Sequence, residues 1–262
     1  MAHKTRVNGT NYGITGGKCM VNGTNYSIKK GRTLIGGTGY DILFTKKLGN
    51  MAVGESVYLN ESGSPVEFLI VHKGNPSTSI YDSSCNGIWL LRKNAGATQM
   101  WNTSVIPTGG DYSTSAVNSY LQGTYLSSLD TAVQKGIIQV KIPYTNQGKT
   151  VNGLSTKVFL LSVMELGKDS FTSPVSVYDR ADGVKLNYFI AGETAKAQEK
   201  RACTASSGEW WTRTAISYAT IYESSSSGYI GSSDPKKSYN VRPAMILPSD
   251  TIVPSDGIIT MQ

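Results

Sequence analysis

The chain begins with one phrase said three times: VNGTNYGITGGKCM, VNGTNYSIKKGRTL and IGGTGYDI. Val7, Val21 and Ile35 are spaced by 14 residues, as are Tyr12, Tyr26 and Tyr40, and Ile14, Ile28 and Ile42. A unit this short excludes the helical solenoid repeats, which need at least twice the length. Within each unit Asn8-Gly9, Asn22-Gly23 or Gly36-Gly37 offers two residues that tolerate positive φ, the requirement of a two-residue hairpin turn. Gly16-Gly17 and Lys30-Gly31 mark a second turn. Between turns, Tyr and Ile alternate with polar residues, the period of a strand with one apolar face. Residues 4–44 therefore read as a meander of about six short strands. Such a sheet is too small to stand alone and needs a cover: the following domain, a second copy, or another protein.

Charge singles out the same segment. Residues 1–50 carry eight basic residues, Lys29, Lys30 and Arg32 among them, against one acid, Asp41. The net charge of +7 thus sits there, and the other 212 residues balance at 17 against 17. A docking or oligomerisation arm over residues 1–48 is the expectation, with Tyr12, Tyr26, Tyr40, Lys29, Lys30 and Arg32 as its contact residues. An acidic neighbour suits it, and a solvated basic face is the plain alternative. Nothing accompanies the charge that would read nucleic acid.

After Asn50 the repeat stops. "SVYLNESGSPVEFLIVHKG" reads as two strands about a turn at Gly63-Ser64-Pro65, and "GIWLLRK" as a buried strand. Val117, Tyr120, Leu121, Tyr125, Leu129 and Val133 keep helical spacing, with a break near Gly123, a stop at Gly136, and Ser113, Thr114 or Ser115 as N-cap. "IIQVKIPY", "KVFLLSVMEL", "EWWTRTAISYATIY" and "NVRPAMILPSD" read as further strands. Gly (28) and Tyr (15) are plentiful and only 16% of residues are charged, which suits turn-rich β structure rather than a bundle. The expected class is α+β.

Three cysteines (Cys19, Cys85, Cys203) and two histidines (His3, His72), all far apart, argue against a disulfide framework or a zinc site. No cofactor is expected. No run approaches the ~18 apolar residues of a spanning helix, so no membrane insertion is expected. MAHKTRVNGT lacks the apolar core of a signal peptide, pointing to synthesis in a cytoplasm.

The ordered set "IWLLRK", "DYSTSAVNSYLQGTYLSSLD", "VKIPY", "STKVFLLSVMELG", "WWTRTA" and "YNVRPAMILPSD", across about residues 55–250, resembles a family of uncharacterised domains common in phages and prophages of Gram-positive bacteria. Its members resemble the C-type-lectin-like fold. The resemblance implies such a domain over residues 49–262 and a virion setting, because short N-terminal repeats also resemble the beginnings of phage structural proteins. The implied function is a non-enzymatic virion protein, a tail or surface adhesin for a host glycan or protein. It would join other virion proteins, and sister copies, through the arm. The alternatives are a purely architectural component and a cell-envelope hydrolase using Glu165 and Asp169.

Residues 215–240, rich in Ser with Tyr218, Tyr222, Tyr229 and Tyr239, have the composition of a recognition loop. These tyrosines and Trp210 are the candidate ligand contacts. Trp211 and Arg213 share a strand face and could hold a sugar; the resemblance implies instead that Trp211, Arg213 and Arg242 are scaffold, the arginines holding buried carbonyls or a carboxylate such as Glu165. Calcium-dependent sugar binding is disfavoured: the EPN, QPD and WND signatures are missing, and "SSDPKK" offers one carboxylate, Asp234.

Overall fold

A computed structural model describes residues 45–104, 109–168, 182–254 and 256–259 and, before them, the strands within 3–42. Six strands form in that first segment: β1 (His3–Val7), β2 (Thr10–Thr15), β3 (Lys18–Val21), β4 (Thr24–Ser27), β5 (Gly31–Ile35) and β6 (Thr38–Ile42). Each repeat is one hairpin in one register. Thr5 pairs with Tyr12, Cys19 with Tyr26 and Thr33 with Tyr40. The closing pairs Val7–Thr10, Val21–Thr24 and Ile35–Thr38 each span two residues, the loop length that Asn-Gly and Gly-Gly favour. The turn residues themselves (Asn8-Gly9, Asn22-Gly23, Gly36-Gly37), and Lys29 and Lys30, lie outside the described residues.

Among the described residues β1 to β4 make one sheet and β5 pairs with β6. The first inter-repeat link is closed by Thr15–Lys18, and residues 28–30 of the second lie outside the described residues.

The main unit starts earlier than the expected boundary after residue 48. β7 (Thr45–Lys47) pairs antiparallel with the last strand, β20 (Ile252–Pro254), and Leu48 is fully buried in the core. The unit therefore holds both ends of its chain together.

In chain order, β8 (Ser56–Glu61), β9 (Ser64–Gly74), β10 (Gly87–Arg92) and β11 (Thr98–Met100) come first. A helical region follows: α1 (Ala116–Tyr120), a π-helical turn (Leu121–Tyr125), α2 (Leu126–Ser128) and α3 (Thr131–Gly136). Next are β12 (Val140–Asn146), β13 (Lys149–Thr156), β14 (Val158–Phe159) and α4 (Ala195–Arg201). β15 (Glu209–Ser217), β16 (Thr220–Ser225), β17 (Ile230–Ser233), β18 (Ser238–Asn240) and β19 (Ala244–Leu247) complete the set. This is a mixed helix and sheet architecture, mostly β, in line with the α+β expectation.

Two five-stranded sheets dominate, ordered β14-β19-β10-β9-β8 and β11-β18-β15-β16-β17; β12 and β13 form a separate hairpin. β10, β19 and the middle of β9 are buried on both faces and read as continuous apolar runs, whereas the edge strand β8 alternates. Ile88 and Leu90 point into one core cluster with Val57, Leu59, Phe68 and Ile70. Trp89 and Leu91 point into a second with Leu69, Val71 and Ile246. The helical region packs on the first cluster through Val117, Leu121, Tyr125, Leu129 and Val133. Ser115 is its N-cap, accepting from the Asn118 amide. The helix is not broken at Gly123; it widens there into the π-helical turn.

Candidate functional site

The sequence stretch richest in suspected chemistry turns out to be scaffold. Arg213, on β15, is fully buried and every one of its five N–H donors is used. Nη1 and Nη2 hold the two Glu165 oxygens at 2.5 and 2.6 Å. The remaining donors go to the carbonyls of Pro143, Leu160 and Asp182. Burial alone would pull the guanidinium down, but the Glu165 carboxylate outweighs it and holds it above its ordinary range. Glu165 also accepts from the Tyr81 hydroxyl (2.7 Å) and the Ser162 amide (2.9 Å).

This carboxylate is sealed and saturated, so it does not serve as an acid or base on a substrate. Asp169, its suspected partner, lies outside the described residues. Arg242 spans the carbonyls of Arg92, Lys93 and Arg201, with its guanidinium 5.0 Å from the Trp210 ring centroid. Both arginines are the structural ties that the sequence suggested. The Cys85 thiol is buried and pushed up to about 12, mainly by that burial, which keeps it protonated at neutral pH and unreactive. Among the described residues no group of three or more His, Cys, Asp or Glu is placed to hold a metal ion.

Residues 215–240 are not a recognition loop. They contribute β16, β17 and β18 to the second sheet. The four tyrosines consequently part company. Tyr218 sits in the turn before β16 and Tyr229 in the turn after it, 45% and 57% exposed, about 20 Å of strand apart. Tyr222 packs against the second core cluster. Tyr239 lies on the first, its ring 4.7 Å from that of Trp211 and its hydroxyl 3.0 Å from Ser233. Trp210 is fully buried and offers nothing to a ligand at the surface. The five residues expected to form one contact surface therefore do not form one. In the arm, Tyr12, Tyr26, Tyr40 and Arg32 hold equivalent or adjacent strand positions.

A different group of side chains is brought together. On β8 the core-facing alternation runs Val57, Leu59, Glu61; on β10 it runs Ile88, Leu90, Arg92. At the end of both series, where the apolar stripe reaches the surface, the next inward position carries a charge. Arg92 grips Glu61 in a forked pair, Nε–Oε1 at 2.9 Å and Nη2–Oε2 at 3.1 Å. Their side chains are only 16% and 14% exposed. Nη1 also donates to the Asn94 carbonyl at 2.6 Å. From the π-helical turn the Tyr125 hydroxyl donates to Glu61 Oε1 at 2.5 Å. Burial and then the Glu61 charge raise the Tyr125 phenol well above its usual range, so it remains a donor.

The pair forms the floor of an open cleft of about 350 Å³. Tyr120, Thr124 and Ser128 line one side, Ala97, Val241 and Pro243 another, with Ser62 and Val66 at the hairpin tip. The π-helical turn places Tyr120, Thr124 and Tyr125 together on this wall, and insertions of this kind recur at functional sites. The walls are tied together: Ser62 N–H donates to the Ser128 carbonyl at 2.7 Å, and Asn60 donates to Asp130 at 2.8 Å. Ser62 and Gly63, at φ 51° and 80°, make the tight turn that brings Glu61 back to face the helix. This turn falls one to two residues before the predicted one at Gly63-Ser64-Pro65.

The model of a protein family described as a domain of unknown function (DUF6273) matches residues 86–249, more than half of the chain. The chain belongs to this family. No curated protein and no solved structure gives a match. The DUF6273 segment contains Arg92, the whole helical wall and Pro243, whereas Glu61 and its hairpin precede it. The cleft thus lies where the DUF6273 segment meets the strands added before it.

Proposed function

We propose that the protein is a non-enzymatic phage virion component, a tail or surface adhesin of C-type-lectin-like fold. It docks to other virion proteins and to sister copies through its N-terminal arm, and it binds a host-surface glycan or protein through its main unit. The contact site is the Glu61–Arg92–Tyr125 cleft rather than the Tyr/Ser stretch. The cleft is the observation that carries this reading: it is preformed, mixes apolar and hydrogen-bonding walls, and has a size and lining suited to small-molecule recognition. Two further features support it. The arm repeats one hairpin three times in one register, and residues 1–44 carry six basic residues against one acid, +5 of the chain's +7. The mixed, mostly β architecture is compatible with the C-type-lectin-like fold that the motif order implies.

The test is adsorption of the purified protein to susceptible cells. Wild type binds and Thr124→Trp, which fills the cleft from an exposed position, does not. Removing residues 1–44 leaves a folded unit that still adsorbs to cells but fails to enter particles. The truncation stops at 44 because Thr45–Lys47 pair with β20. A wild-type protein that binds no host cell leaves the architectural role in its place.

A further inference from the structure

We propose that the cleft takes a neutral saccharide, held by two adjacent ring hydroxyls on the Glu61–Arg92 pair. This rests on the reading of the cleft as the recognition site and adds the chemistry of what it recognises.

The hydrogen-bond inventory of the pair is nearly, but not fully, spent. Glu61 Oε1 accepts from Tyr125 and from Arg92 Nε. Oε2 accepts from Arg92 Nη2 and shares the Nε hydrogen with Oε1, so three hydrogens meet a carboxylate with about four acceptor sites and one site remains. Arg92 has five N–H donors. It commits Nε, one hydrogen of Nη2 and one of Nη1, to Glu61 and the Asn94 carbonyl. One hydrogen remains on each terminal nitrogen. The floor therefore presents an acceptor beside donors. Two neighbouring sugar hydroxyls, each able to donate and accept, match that pattern, whereas a single hydroxyl leaves part of it unmet.

Charge points the same way. The one carboxylate and the one guanidinium of the cleft cancel in a forked pair. A uronic or sialic acid, or a phosphate, would meet a guanidinium whose charge Glu61 already balances and a carboxylate that repels it. An amino sugar would meet a carboxylate already matched.

The walls suit the rest of a pyranose ring. Val66 and the exposed Ala97 offer an apolar surface to its C–H face, backed by buried Val241 and Pro243. The Tyr120 hydroxyl has no hydrogen-bond partner among the described residues, and Thr124 is exposed. Both stand free to bond further hydroxyls. Because the walls are already fixed by Ser62–Ser128 and Asn60–Asp130, binding costs little ordering.

The experiment is calorimetric titration of the full chain with methyl glucoside, galactoside and mannoside, with the matching deoxy sugars, and with glucuronic and N-acetylneuraminic acids. At least one neutral glycoside binds, and its Kd is unchanged between 50 and 500 mM NaCl. Its affinity drops tenfold or more in Thr124→Trp, in Arg92→Lys, and for the deoxy sugar lacking one of the paired hydroxyls. Binding confined to the acidic sugars, salt-sensitive binding, or neutral-sugar binding undiminished in Thr124→Trp overturns the proposal. Cell adsorption lost in Thr124→Trp without any neutral-sugar binding overturns this inference and leaves the adhesin reading standing. Neutral-sugar binding in the cleft by a protein that adsorbs to no host cell does the reverse.

Discussion

Asp182 offers the sharpest quantitative test of the buried network. Its side chain is 1% exposed, and its Oδ2 accepts from the Thr214 hydroxyl at 2.6 Å. Burial pushes the carboxyl up to about 6, with the Arg213 charge and the Thr214 hydrogen bond only partly offsetting it. An aspartate in an unfolded chain titrates near 3.9. The difference is worth about 3 kcal/mol. Its sign follows from proton binding. Between pH ~4 and ~6 the folded state holds a proton that the unfolded state has released, so stability falls as pH rises through that window and then levels off.

Asp182→Asn keeps the acceptor for Thr214 and removes the titration. Urea unfolding of both proteins at pH 4.5 to 8 should show the variant gaining on wild type as pH rises. The gain should reach about 3 kcal/mol above pH 7, roughly 6–12 °C in Tm for a unit of this size. His72, lowered by burial, and Glu223, raised to about 7 by burial and by the Glu209 charge, titrate in both proteins and cancel in the difference. A stability gap that stays flat, or closes with rising pH, would refute the reasoning. It would mean that Arg213 and Thr214 stabilise the ionised form at least as much as burial destabilises it.

Two further predictions concern the scaffold. Arg213→Lys keeps the charge but supplies three donors for five acceptors, stranding buried carbonyls; a loss of about 2–4 kcal/mol is expected in chemical denaturation. Gly228 adopts φ +87°, and a Cβ there would meet the Gln198 carbonyl oxygen. Gly228→Ala should therefore cost more than about 2 kcal/mol, read as a lowered Tm, and a variant as stable as wild type would disprove the tight approach.

Much of the local structure was legible because it depends on neighbouring residues. The buried strand at "GIWLLRK", the Ser115 cap and the stop at Gly136 all follow from local pattern. The Tyr/Ser stretch misled because its strands carry so little aliphatic material. β16 has one aliphatic residue, Ile221, and β17 is Ile-Gly-Ser-Ser. The small residues serve close packing instead: a Cβ on Gly231 would meet the Glu223 carboxylate. Composition alone did not distinguish a paired strand from an adaptable loop.

The cleft left a trace that sequence reading passed over. Glu61 and Arg92 each continue an inward stripe, after Val57-Leu59 and Ile88-Leu90, with a charged residue where an apolar one is due. Each departure reads in isolation as a strand reaching solvent. That the two meet, with Tyr125 from a helical turn 64 residues beyond Glu61, depends on sheet order and on how the helices pack.

The sequence by itself determined the arm's hairpins, since a 14-residue phase with two-residue turns admits one register. It also determined where the charge lies. Tertiary structure alone decided that the main unit takes in Thr45–Lys47, and that Glu61, Arg92 and Tyr125 share one cleft. The physical reason is range. Turn geometry and strand alternation are settled within a few residues, whereas a site assembled from three elements exists only once the core between them has packed.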